Sequence, residues 1–167
     1  MTGSLPVVVF EPLHADVVPP VRATRQAAGY DLCAYLRGGA VTVYRDGLAA
    51  ERAPDASGAL TLEPGDVALV PLGFRARLPD GFEAQIRIRS SAALKKGLTL
   101  PNAPGTIDAD YPDEWMVMVR NSGTRAARIE HGERIAQVVL ARYEIAEWRT
   151  GRVARSTDRT GGLGSTG

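Results

Sequence analysis

Residues 60–89 read LTLEPGDVALVPLGFRARLPDGFEAQIRIR, a succession of short extended runs broken by turns. The runs at 60–62, 67–71 and 74–78 are separated by Glu63-Pro64-Gly65-Asp66 and by Pro79-Asp80-Gly81, combinations that bend a chain. The last run alternates strictly. Ala84, Ile86 and Ile88 fall on one side and Glu83, Gln85, Arg87 and Arg89 on the other, the two-residue period of a strand with one wet face. Such runs with such spacers imply an antiparallel meander.

Outward from this stretch the same grammar continues. Residues 6–10 (PVVVF), 29–36 (GYDLCAYL) and 41–44 (VTVY) read as strands, and Arg45-Asp46-Gly47 signals a turn into the small, polar residues 49–58. Residues 37–57 therefore form an excursion hairpin whose charges cancel, expected to be exposed and dispensable for folding. Residues 90–96 (SSAALKK) are the helical candidate, with a serine available as N-cap and two lysines before Gly97. Two more strands lie at 115–120 and 134–143, the second apolar enough to be buried on both faces. Residues 149–167 lose periodicity and end in GGLGSTG, a flexible tail or a flap.

Composition bounds the function. At 167 residues, 44% hydrophobic and 23% charged, with 18 Gly and 11 Pro, the chain reads as one mainly β domain. A net charge of +1 supplies no overall field to recruit nucleic acid or an anionic membrane, so an anionic ligand must be held by local groups. Cys33 is the single cysteine, and His14 and His131 are the two histidines, which excludes an internal disulfide framework and leaves too few soft ligands for structural zinc. No apolar run reaches the roughly 18 residues of a membrane span, and MTGSLPVVVFEP lacks a basic flank and cleavage site. A reducing, cytoplasmic setting is the expectation.

Three segments bear chemistry. Thr106-Ile107-Asp108-Ala109-Asp110-Tyr111 lies between Pro104-Gly105 and Pro112 and should be a tight hairpin. Its aspartates, at alternate positions, point the same way if the segment is extended. They are either paired carboxylates for base chemistry or turn residues bonding their own backbone. Arg89-Ser90-Ser91 joins a cation to two hydroxyls at a helix start, which reads either as an anion seat or as a cap beside a surface arginine. In residues 132–137 (GERIAQ), Arg134 or Gln137 faces a ligand, or the stretch is a turn entering a strand. Gly162-Leu163-Gly164-Ser165-Thr166-Gly167 formally matches the dinucleotide fingerprint, whose required strand, helix and downstream acid this context does not supply. It remains either a solvated linker or a phosphate wrap.

Taken together, Ala28-Gly29-Tyr30-Asp31-Leu32, Arg89-Ser90-Ser91, residues 102–111 (NAPGTIDADY), residues 132–137 and residues 161–167 (GGLGSTG) resemble the five ordered motifs of the homotrimeric deoxyuridine triphosphatases. The likeness covers most of residues 20–167. It implies a jelly-roll-like β-barrel with one short helix over residues 1–155 and a flexible Gly-rich arm over 156–167 that closes a site shared between subunits of a trimer. The implied reaction is dUTP plus water to dUMP and pyrophosphate, with Mg²⁺ held by the triphosphate and water and by no residue directly.

By the same resemblance Asp108 is the general base, with Asp110 and Asp31 in supporting roles. Asn102 and the backbone of Gly105, Thr106 and Ile107 read uracil, and Tyr111 packs under the deoxyribose. Arg89, Ser90, Ser91 and Gln137 contact phosphates, while Arg159, Gly164, Ser165 and Thr166 come from the arm to the γ-phosphate. Leu163 stands where the family has a stacking aromatic residue, Arg159 is one residue closer to it than usual, and Tyr111 is followed by Pro112-Asp113-Glu114 rather than Arg-Gly-Glu. Two other readings are a non-catalytic dUTP-binding sensor, against which Asp108 and Tyr111 together argue, and dCTP deaminase, whose proton-shuttling glutamate would fall at Met118.

Overall fold

The structure, a computed structural model, describes residues 4–158. The expectations for Arg159, Leu163, Gly164, Ser165 and Thr166 lie outside the described residues. Within them the chain is mainly β and jelly-roll-like, with all the named strand pairings antiparallel.

Residues 60–89 fold as the turn signals dictate. Strand β5 (Ala59–Leu62) gives way at Gly65, which has a φ of 89° that only glycine adopts without strain, to β6 (Val67–Pro71), β7 (Phe74–Arg77) and β8 (Phe82–Ile88). The outer strands are β1 (Val9–Pro12), β2 (Tyr30–Cys33), β3 (Val41–Arg45), β4 (Leu48–Arg52), β9 (Leu98–Thr99), β10 (Gly105–Ile107), β11 (Met116–Asn121), β12 (Ala127–Glu130) and β13 (Arg134–Arg142). They assemble as β10-β8-β13-β2 and β4-β3-β6-β11-β9, with β1-β7 and β12-β5 as two-stranded ribbons. Leu32, Leu60, Leu62, Val70, Val117, Ile129 and Ile135, all fully buried, come from six strands and form one core. No helix among the described residues is long and apolar enough to cross a membrane.

The helix α1 (Ser90–Lys96) has the expected span. Its cap does not. Arg89, in extended backbone, is the N-cap and no side chain caps the helix, so Ser90 is its first helical residue. At the other end Gly97 takes φ 65° and its N–H reaches the carbonyls of Ala92 and Ala93, a glycine stop. Strand β13 is buried only in its first half; beyond Val138 it opens to partial exposure, so the both-faces expectation fails where Val138 and Leu140 line an open apolar hollow. Strand β12 lacks a sequence signal of its own, because Gly123 and Thr124 before it look like the start of a loop.

The excursion hairpin exists as β3–β4 and β4 is exposed, yet it is not a detachable flap. Val41 and Val43 are core residues, and β3 pairs with β6. From the hairpin, Arg45 Nε and Arg52 Nη1 reach the two oxygens of Asp66, at 2.7 and 2.6 Å, and Asp66 is wholly buried. Asp55, just beyond β4, binds Arg128 of β12. The charges cancel as counted, but against partners elsewhere in the fold. Removing 37–57 would leave a buried carboxylate without its cations.

Candidate active site

Strand β13 runs between β2 and β8, and Gln137 stands opposite Asp31 on one side and Arg87 on the other. The three therefore share one face of the sheet. Arg89 continues β8, its N–H bonded to the Ile135 carbonyl at 3.1 Å. Its Nη1 lies 2.9 Å from Asp31 Oδ1, while Arg134 Nη1 donates to Asp31 Oδ2 at 3.0 Å. One carboxylate thus holds two guanidiniums side by side. A Cβ on Gly29 would fall 2.1 Å from Gln137 Oε1, so the missing side chain there makes room for the glutamine. Ser90 and Ser91 are exposed at the start of α1.

Arg134 belongs to this cluster although the sequence left its orientation open. The signal that could have found it is its place opposite Cys33 across β2 and β13, a pairing no local pattern reveals. Cys33 sits two residues from Asp31, and burial together with that carboxylate pushes its thiol up, against the pull of Arg134 and Arg89.

The second group is on β10, an edge strand paired with β8. The Asn102 amide packs on Gly105, where a Cβ would come within 3.3 Å of both Asn102 Nδ2 and Ile86 Cβ. Ile107 is buried and Thr106 is exposed. Beyond Ile107 the chain turns, with the Tyr111 N–H bonded to the Asp108 carbonyl at 3.2 Å. The two aspartates therefore do not alternate along a strand as an extended segment would have them. Asp108, Asp110 and Tyr111 are all exposed on this turn, and Ala109 between them packs toward the core.

Asp108 and the Asp31–Arg89 cluster are not brought together within one chain. Ile107 stands beside Ala84, and from Ala84 to Arg89 the extended chain travels about 17 Å. Among the described residues no three His, Cys, Asp or Glu side chains form a group that could hold a metal ion, and both oxygens of Asp31 already face arginines.

The profile of the dUTPase family matches residues 55–167. The chain belongs to the dUTPase family. A deoxyuridine 5'-triphosphate nucleotidohydrolase of Solibacter usitatus is 50% identical over 108 residues, 65% of this chain and 74% of that protein. The one of Rhizobium leguminosarum bv. trifolii is 42% identical over 160 residues, 93% of this chain and 98% of that protein. Among solved structures, the dUTPase of Streptococcus mutans superposes with a TM-score of 0.62 at 26% identity, covering 84% of this chain and 99% of that one. A Staphylococcus bacteriophage 80alpha dUTPase mutant with dUpNHpp reaches 0.74 at 20% identity, covering 96% and 98%, a likeness of fold. The matched dUTPase region takes in α1, β10 and β13, whereas Asp31 and the β3–β4 hairpin precede it.

Proposed function

We propose that the chain hydrolyses dUTP to dUMP and pyrophosphate as a homotrimer, with Asp108 of one subunit meeting Arg89, Ser90 and Gln137 of another. The observation that carries this reading is the edge position of β10. Its outward backbone N–H and C=O groups are unpaired by any strand among the described residues, and a row of alternating donors and acceptors matches the edge of a uracil ring. Asn102, packed on Gly105, adds a side-chain amide to that row. A 5-methyl group has no room against so close a backbone, and Tyr111 under the sugar leaves none for a 2′-hydroxyl.

The chemistry then follows from charge. Asp108, exposed at the end of β10, takes the proton of a water aligned for attack on the α-phosphorus, and Asp110 supports the turn beside it. Arg89, Ser90, Ser91 and Gln137 hold the phosphate oxygens, and Asp31 aims Arg89 and Arg134 rather than touching the nucleotide. Mg²⁺ arrives on the triphosphate as part of the substrate and withdraws charge from its oxygens. Arg159, Gly164, Ser165 and Thr166 close on the γ-phosphate, with Leu163 covering the base.

The trimer is supported by what one chain leaves uncovered. Past β13, Ile145, Trp148 and Val153 are 88%, 95% and 95% exposed. An apolar hollow of about 500 Å³ opens between residues 5–10 and the β8–β13 region, with the buried Trp115 Nε1 in its wall lacking a hydrogen-bond partner among the described residues. A second copy of the chain supplies cover for both.

The test uses two disabled variants. Asp108→Asn should lose about 10²-fold in kcat or more while still binding nucleotide, and Arg89→Ala should lose phosphate binding. Refolded together, they should regain activity in about a quarter of sites, where Asp108 and Arg89 come intact from different subunits. Pyrophosphate release should be confined to dUTP among dUTP, dCTP, dTTP and UTP. Wild-type turnover in Asp108→Asn would move the base to Asp110, and failure of the mixture to regain activity would end the shared-site reading.

A further inference from the structure

The turn that carries Asp108 and Tyr111 is fastened at its far end by a side chain outside the chemistry. On its near side the β10–β8 ladder ends at Ile107; on its far side β11 begins at Met116. Between them, Glu114 Oε1 accepts the Gly73 N–H at 2.7 Å. Gly73 is a fixed point. It turns the chain from β6 into β7 with φ 76°, its carbonyl accepts the Leu13 N–H at 2.9 Å, and a Cβ there would come within 2.8 Å of both Tyr35 Cγ and Val17 Cγ2.

The neighbouring Trp115 is tied to the same turn through its backbone, its N–H to the Phe74 carbonyl at 3.0 Å and its carbonyl to the Leu72 N–H at 3.1 Å. Those two bonds secure the entry to β11 without help from Glu114. What Glu114 adds is the position of the residues before it. Pro112 has a fixed φ and keeps Tyr111 in an extended conformation, so little slack separates the clamp at Glu114 from the Tyr111 ring. A shift of an ångström in a positioning group is enough to cost a large factor in rate.

We propose that Glu114 is a positioning residue: through its bond to Gly73 it sets the place of Tyr111 and Asp108, and with it the discrimination between deoxyribose and ribose. The proposal rests on the reading that the chain hydrolyses dUTP. Discrimination is the sensitive property, because a ring that merely fills space under C2′ rejects a hydroxyl only while it cannot retreat.

Glu114→Ala and Glu114→Gln separate the bond from the fold. In the alanine variant the ratio of kcat/KM for dUTP over UTP should fall about tenfold, with the melting temperature within a few degrees of wild type. In the glutamine variant the amide oxygen still accepts the Gly73 N–H, so the ratio should stay within about threefold. Should Glu114→Ala fail to fold, Glu114→Met keeps the stem, loses the acceptor and should show the same relaxed ratio. An unchanged ratio in the folded acceptor-free variant, or an equal loss in Glu114→Gln, overturns the clamp while wild-type dUTP hydrolysis leaves the functional reading standing. A wild-type protein inert toward dUTP removes the reading and the clamp with it.

Discussion

Two aspartates in this fold each hold two arginines, one carboxylate in the core and the other at the rim. Asp66 is wholly buried and accepts Arg45 and Arg52 together with the Glu63 N–H at 2.9 Å. Burial pushes its carboxyl up, and the combined hydrogen bonds overcome that and hold it below its ordinary value. Asp31 sits at the rim, its side chain 13% exposed, and one of its arginines, Arg134, is 57% exposed. At Asp66 the donors point inward at a satisfied carboxylate. At Asp31 the carboxylate itself reaches the rim, with Arg134 open to solvent beside it, where on the proposed reading a phosphate is met. The same three-residue arrangement has its carboxylate sealed in the core at Asp66 and open to solvent at Asp31.

Breaking the sealed arrangement should produce the largest effect. Asp66→Asn leaves two cations facing a neutral group, and breaking a buried pair costs about 3–5 kcal/mol. The arginines are partly exposed and recover some hydration, so the lower end is expected, a fall in melting temperature of about 10 °C. The folded variant should turn over dUTP normally. The pH dependence has a fixed sign. Because the folded carboxyl is held below the unfolded value of about 4, its contribution is present above that pH and is lost as pH falls through the folded value. The stability gap between wild type and Asp66→Asn should therefore be constant from neutrality to about pH 5 and close below about pH 4. A gap that widens in acid would show that the carboxylate is not what the arginines stabilise.

At the open site the same exchange should act on function instead. In Asp31→Asn, Arg89 and Arg134 lose the charge that holds them side by side, and kcat/KM for dUTP should fall about tenfold, mostly through KM, in line with hydrogen bonds to charged groups. Melting should move less than in Asp66→Asn, since Arg134 is more than half exposed and its pairing is screened by solvent. A large loss of stability with unchanged KM would mean that Asp31 serves the fold as Asp66 does, and the comparison would collapse.

What was legible in the sequence follows from the range of the interactions. The alternation of residues 82–88, the turns at Gly65 and Gly81 and the span of α1 are set by neighbours along the chain, and each stands where the pattern put it. The aspartate of Glu63-Pro64-Gly65-Asp66 reads as one more turn residue, because Arg45 and Arg52 are remote in sequence and only the pairing of β3 with β6 brings them to it. Arg134 escaped for the same reason, since its partner Asp31 lies across the chain on β2. Glu114, which matches the family pattern after departures at Pro112 and Asp113, gives no local sign that it reaches Gly73. The site motifs were readable through their order, while the separation of Asp108 from Arg89 along β8 is a property of strand register that no motif contains.

The smallest effect concerns the space beside Asp31. An alanine at Gly29 would place its Cβ 2.1 Å from Gln137 Oε1, 2.9 Å from Cδ and 3.2 Å from Cβ. The first two atoms are the mobile end of a side chain, so the fold yields cheaply and melting should hardly change. Gln137 must swing away, and what it held is lost. One neutral hydrogen bond is worth about 0.5–1.5 kcal/mol, so KM for dUTP should rise several-fold with kcat nearly constant. The decisive comparison is Gly29→Ala made in a Gln137→Ala background. If the glycine serves only to seat the glutamine, the second substitution adds nothing there, and the coupling equals the whole single-variant effect. A further loss of the same size in that background would mean that Gly29 makes room for something other than Gln137, such as a phosphate or a neighbouring subunit.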